Sequence, residues 1–263
     1  MAIRTVFVMV EDCTRSAPLG WEQFLRGHGW IAAQLLARYF PTLAPEAGQH
    51  LAAVFQRAHA ADAAWFRGLT FSNERDFAMA FRELVFAYGR EAARLPLPQA
   101  PLEQLQAAVA KLTLMDREIL WLRMRGYEAP QIAAILASAK ATASALAGVA
   151  SDLLAGVLPP APDARALAAR SLMEAAEKAR TEDCLPLKTF NNLVSGQLTW
   201  RERELAEEHI RPCLFCLDRY TAFQEMIRYL RDVQPLPDDE VRHLLSALGL
   251  RPPKKGILGR IFS

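Results

Sequence analysis

The feature that most constrains this chain is His209-Ile210-Arg211-Pro212-Cys213-Leu214-Phe215-Cys216, an H-x3-C-x2-C pattern. Imidazole nitrogen and thiolate sulfur are preferred zinc ligands, and a C-x2-C turn presents two sulfurs to one ion. A segment that closes on a metal must place its helix ends around that ion, so the pattern fixes local architecture as well as chemistry. Three ligands leave a tetrahedral site one short. The nearest upstream cysteine is Cys184, 25 positions before His209.

The whole pattern resembles the zinc-binding anti-sigma domain of bacterial sigma-factor regulators. That resemblance covers about residues 180–232 and includes Asn192-Leu193-Val194-Ser195-Gly196-Gln197-Leu198-Thr199 between its first two helices. It implies Cys184 as the fourth ligand beside His209, Cys213 and Cys216, with Zn2+ as the cofactor. Four ligands, three of them thiolates, close the shell, which predicts a structural zinc with no position left for a catalytic water. Thiolate ligands also oxidise with loss of metal, so redox sensing is open to such a site. His209 is expected to end one helix, Pro212 to turn the chain, and Cys213 and Cys216 to open the next.

The other residues predict an all-α chain. From Trp21 to Phe40, apolar residues recur at three- and four-residue steps until Pro41 stops the pattern. Leu51, Val54, Phe55 and Ala58 form a second stripe, and Trp65-Phe66 a connecting cluster. Ser72-Asn73-Glu74 caps a third helix bearing Phe77, Phe81, Leu84, Val85 and Tyr88. Ile3 to Val10 reads as a short strand or an ordered tail. Prolines at 96, 98 and 101 mark a linker over 95–101, and Pro159-Pro160-Ala161-Pro162 marks a second break.

Between these breaks, Thr113 and Asp116 suggest a capping box, Gly126 ends the helix, and Pro130 opens a short second one. A third helix is expected from about Lys140 to Leu154. This segment resembles region 4 of extracytoplasmic-function sigma factors, through Leu112-Thr113-Leu114-Met115-Asp116-Arg117-Glu118-Ile119-Leu120, Gly126-Tyr127, Gln131-Ile132-Ala133-Ala134-Ile135-Leu136 and Thr142. Residues 21–94 resemble region 2 of the same family through Trp65-Phe66-Arg67-Gly68 and Phe77-Ala78-Met79-Ala80-Phe81-Arg82. The expected order is a region 2-like domain (1–94), a linker (95–101) and a region 4-like helix-turn-helix domain (102–158). A linker or helix (159–179), the zinc-binding domain (180–232) and a C-terminal helix with a basic apolar tail (233–263) follow.

Two departures redirect the functional expectation. A recognition helix reads DNA with Arg, Lys, Asn and Gln, yet from Ser138 to Leu154 the charged residues are Lys140 and Asp152. Lys140, Thr142 and Ser144 are the candidate DNA contacts, on a helix better suited to packing. The acidic element with which region 2 docks polymerase falls near Gln49 to Phe55, where no acid occurs from Ala47 to Ala61.

Thirty-one Lys and Arg against 29 Asp and Glu leave a net charge of +2, so no global footprint announces nucleic acid. Three of four cysteines lie in the zinc pattern and Cys13 stands alone, which points to metal usage in a reducing, cytoplasmic compartment. No transmembrane run is present. No nucleophile with a base, phosphate loop or carboxylate pair suggests an enzyme. In the tail, Ile257, Leu258, Ile261 and Phe262 are candidate docking residues.

The expected function is regulation of bacterial transcription initiation. The sigma-like part engages RNA polymerase, a sigma factor, another protein partner or DNA, and the zinc domain occludes it. The alternative is a protein-interaction adaptor on a degenerate sigma fold.

Overall fold

The computed structural model describes residues 5–94, 112–137 and 162–250. Among the described residues it is all-α, with eleven α-helices, one 3-10 segment and no strand. The α-helices are α1 (Val6–Thr14), α2 (Pro18–Tyr39), α3 (Ala47–Arg67), α4 (Glu74–Ala93), α5 (Leu114–Met124) and α6 (Ala129–Ile135). They continue with α7 (Pro162–Lys178), α8 (Leu187–Val194), α9 (Trp200–Ile210), α10 (Leu214–Asp232) and α11 (Asp238–Ala247). The expected third helix near 140–154 and the tail from Arg251 lie outside the described residues. The chain forms two compact units, each assembled from separate stretches.

The first unit takes residues 1–36, 45–89 and 232–263. Its core is aromatic. Phe24 of α2 has Phe66 at 5.1 Å, Phe55 at 5.2 Å, Phe81 at 5.3 Å and Trp21 at 5.7 Å between ring centroids, mostly edge to face. Such geometry adds about 1 kcal/mol per pair beyond area burial. The spacing Trp21–Phe24–Leu25 places one stripe of α2 on this cluster, as the sequence predicts.

Residues 6–14 are helical, where Ile3 to Val10 was expected as a strand or ordered tail. Thr5 caps the helix by accepting from the amide of Val8, while Met9 and Cys13, one turn apart, carry the buried stripe. Phe7 and Val8 lie exposed, so the apolar run is not one buried face. The helix turns tightly into α2. A Cβ on Gly20 would sit 2.4 Å from Asp12 Cβ, so a residue without a side chain is required there.

Helix α3 contains a break. Ala60 leaves the helical region, and Ala61, Asp62 and Ala63 have φ of 47°, 59° and 58°. Arg67 clamps this turn, donating to Ala61 O at 3.0 Å, to Asp62 Oδ2 at 3.0 Å and to Asp62 O. Trp65 and Phe66, expected in a connection, belong to the last helical turn after the break. Asn73 caps α4, its Oδ1 accepting from the amides of Arg75 and Asp76.

The segment after residue 232 folds back onto this same unit. Leu236 N–H donates to Arg26 O at 3.2 Å, and Arg26 Nη1 returns a bond to Leu236 O at 3.3 Å. Arg26 Nη1 also meets Asp238 Oδ1 at 2.8 Å. The Leu236 side chain fills the notch left by Gly29. At the far end of α11, Gln56 of α3 donates to Ala247 O at 3.2 Å. Pro237 holds the cap position of α11, and Asp238, Asp239 and Glu240 occupy its first turn, where their charges suit the helix dipole.

The second unit takes residues 37–44 and 90–231. In it α5, the turn after it and α6 enclose a core of Ile119, Leu122, Tyr127, Ile132 and Ile135. The Thr113–Asp116 capping box is present, and Gly126, at φ 82°, makes the left-handed turn that ends α5. Helix α5 is buried on almost every side. Arg117, Glu118 and Trp121 are buried along with Ile119 and Leu122. A surface helix shows one apolar stripe, so this burial requires cover on the polar side as well.

Candidate metal centre

Cys184 lies in a turn before α8, its amide donating to Thr181 O at 3.2 Å. His209 is in the last turn of α9, which starts at a Thr199–Glu202 capping box. Cys213 follows Pro212, and Cys216 is in the first turn of α10. The Thr199–Glu202 capping box and Pro212 mark the helix ends from which three of the four side chains meet Cys184. Their ligand atoms all lie within 4.8 Å of one another. Cys184 Sγ is 3.7 Å from Cys213 Sγ, and His209 Nε2 is 3.2 Å from Cys216 Sγ. Sulfurs about 2.3 Å from one tetrahedral ion stand roughly 3.8 Å apart, so the cysteine pair fits the edge of such a shell. The cluster is a Cys3His set that can bind a metal ion such as zinc.

The surroundings favour thiolate at one edge and resist it at another. Cys184 is held below the ordinary thiol range: burial opposes ionisation, but the Thr181 amide and hydroxyl and the neighbouring sulfurs outweigh it. Thr181 N–H reaches Cys184 Sγ at 3.3 Å. Cys216 is pushed well up, by burial first and then by the charge of Cys213, although Leu185 N–H donates to its sulfur at 3.4 Å. Three thiolates this close repel unless a cation sits among them, which is the demand a divalent ion meets. Cys13 is not part of the cluster; it is buried in the first unit, with its thiol pushed up by burial and by Asp12.

The same helices carry a second, polar constellation against α5. Asp218 of α10 accepts from Arg125 Nη2 at 2.5 Å and from Trp121 Nε1 at 2.8 Å. Arg125 Nη2 also donates to Asp218 O at 2.9 Å, and its Nη1 lies 3.6 Å from Glu225 Oε2. Glu225 Oε1 accepts from Tyr39 OH at 2.7 Å and from Tyr127 OH. Tyr127 and Tyr229 hydroxyls are 2.7 Å apart. Arg38 stacks 3.6 Å above the Tyr127 ring and donates to Gly126 O at 3.0 Å. The Asp218 and Glu225 charges, the Tyr127 phenol pushed up by burial and the Arg125 cation thus form one buried network. Arg117 donates to Arg211 O, in the loop between His209 and Cys213, so α5 touches the metal knuckle directly.

The sequence marks the Cys3His cluster but not this network. Nothing in the local sequence marks Arg125 or Asp218; the burial of both sides of α5 reveals their role. Lys140, Thr142 and Ser144, and Ile257, Leu258, Ile261 and Phe262, lie outside the described residues. No described helix is long and apolar enough to cross a membrane.

No family model, curated protein or solved structure matches this chain.

Proposed function

We propose that this protein regulates bacterial transcription initiation as a sigma-factor-like chain held shut by its own zinc-binding domain. The carrying observation is the burial of α5, the first helix of the helix-turn-helix, against α10 through Arg125, Asp218 and Glu225. In this reading Zn2+ on Cys184, His209, Cys213 and Cys216 fixes the approach to α8 and the ends of α9 and α10, so that α10 presents Asp218 and Glu225 in register with Arg125. Fusion makes closure intramolecular, which raises the effective concentration of the covering helices. The segment from Leu236 to Ala247 adds a second cover. It lies on α2 and on α3, the helix that carries the region 2 docking element in the resemblance.

The test is binding of the full chain, and of a full-length Asp218→Arg variant, to purified bacterial core RNA polymerase. The substitution sets a second guanidinium against Arg125 and opens the contact. The reading expects the variant to bind at least tenfold more tightly. If neither binds while zinc stays bound, the transcription reading fails. The alternative, an adaptor that uses a degenerate sigma fold to hold another protein, then gains support from the absence of any acid between Ala47 and Ala61.

A further inference from the structure

Two of the acids buried around α5 are matched with a cation, and one is not. Asp218 and Glu225 both face Arg125. Glu118, itself on α5 and 7% exposed, has no ion pair among the described residues. From α9 it is faced by Glu207, whose own partner is Arg203 at 2.7 Å. From α10 it is faced by Tyr220 and by Gln224, its hydrogen-bond partner. On α5 itself the neighbouring Arg117 is directed to Leu112 O and Arg211 O. Helix α7, which also packs on α5, contributes Arg170, but that guanidinium lies over the Phe40 ring.

We propose that Glu118 makes the packing of α5 on α9 and α10 proton-dependent: the contact is tight while the carboxyl is neutral and loosens when it ionises. An isolated buried carboxylate is too costly to keep, so the group takes up a proton instead. Burial first, and then the facing Glu207 charge, raise the carboxyl to about 8, against the Gln224 hydrogen bond, which favours the charged form.

The sign follows from the raised value. Between the ordinary carboxylate range and about 8, only the packed state holds the proton. Rising pH therefore shifts the contact toward the loosened state, by about tenfold per pH unit across that window, and the effect levels off above it. The proposal rests on the packing alone and holds whether or not polymerase is the partner.

The experiment is a titration of the full-length, zinc-loaded chain from pH 6 to 9.5, with zinc content monitored throughout. Emission from Trp121, one turn from Glu118, is assigned by difference from Trp121→Phe. The expected result is a transition that ends near pH 8 in the wild type and is absent in Glu118→Gln, which stays packed throughout. A transition retained in Glu118→Gln, or a flat wild-type trace, overturns the proposal. Carboxyl carbon NMR of the glutamate-labelled wild-type chain provides a check that needs no variant. One glutamate titrating near 8 supports the proposal, and all of them titrating below 6 overturns it.

Discussion

Arg125 and Asp218 meet at 2.5 Å with side chains 1% and 14% exposed, one at the end of α5 and the other on α10. The pair lies 93 residues apart in sequence, so it forms only when α5 and α10 are packed together. A surface pair at this distance contributes little, but breaking a buried one leaves a charge without compensation.

Asp218→Ala should therefore cost about 3 kcal/mol, the range for removing one partner of a buried pair. It also strips Trp121 Nε1 of its acceptor. Urea denaturation of the full chain measures the loss, and a shift in Trp121 emission accompanies it. Replacing Arg203, which pairs with Glu207 on the exposed side of α9, should change stability by less than about 1 kcal/mol.

Gly29 and Leu236 form the seat of the returning C-terminal segment. A Cβ on Gly29 would lie 2.1 Å from Leu236 Cδ1 and 2.7 Å from its Cγ. Overpacking of this kind costs about 1–3 kcal/mol, against roughly 1 kcal/mol that alanine gains over glycine inside a helix. Gly29→Ala should thus destabilise the wild type and stabilise a Leu236→Ala background. A double-mutant cycle by denaturation reads this reversal of sign directly.

The left-handed run Ala61–Asp62–Ala63 stores strain that glycine does not feel. The left-handed conformation costs an alanine about 1–2 kcal/mol, and glycine returns part of that gain as unfolded-state entropy. Ala61→Gly should stabilise the first unit by about 0.5–1 kcal/mol, seen as a higher denaturation midpoint. Ala61 is exposed and so loses no packing by the change. A lower midpoint would count against the strained turn.

How far the sequence could be read differs between the two polar clusters. The Cys3His cluster was legible because zinc chemistry restricts both residue type and spacing, and the Thr199–Glu202 box and Pro212 mark the helix ends that present it. The Trp21, Phe55 and Phe81 stripes were legible because their period matches one helical face. The helix at Val6–Thr14 was hidden by Phe7 and Val8, which make its apolar run continuous and strand-like. Arg125, Asp218, Glu225 and Glu118 were illegible because charge on a helix reads as solvent exposure. Only a long-range partner makes such a residue internal, and no local pattern encodes that partner. The break in α3 was hidden for the related reason that alanines predict helix wherever they stand.

His28 gives the first unit a definite acid limit. Its ring is buried among Phe24, Phe77 and Phe81, at 5.1, 5.2 and 5.4 Å between centroids, with Nδ1 3.3 Å from Phe24 O. Burial, only partly opposed by that backbone contact, lowers the imidazole from 6.5 to about 4. The folded chain therefore holds His28 neutral over a range in which the unfolded chain protonates it. Stability is full above about 6.5 and falls as pH drops toward about 4, by roughly 3 kcal/mol over the whole window. His28→Leu keeps the apolar contacts and removes the titrating group. The difference in unfolding free energy between wild type and variant should then slope between pH 6.5 and 4 and run flat from 7 to 8. Subtracting the two chains cancels the acid response of the carboxylates and of the metal site. A difference independent of pH between 4 and 6.5 would show that His28 is solvated rather than buried in this aromatic cage.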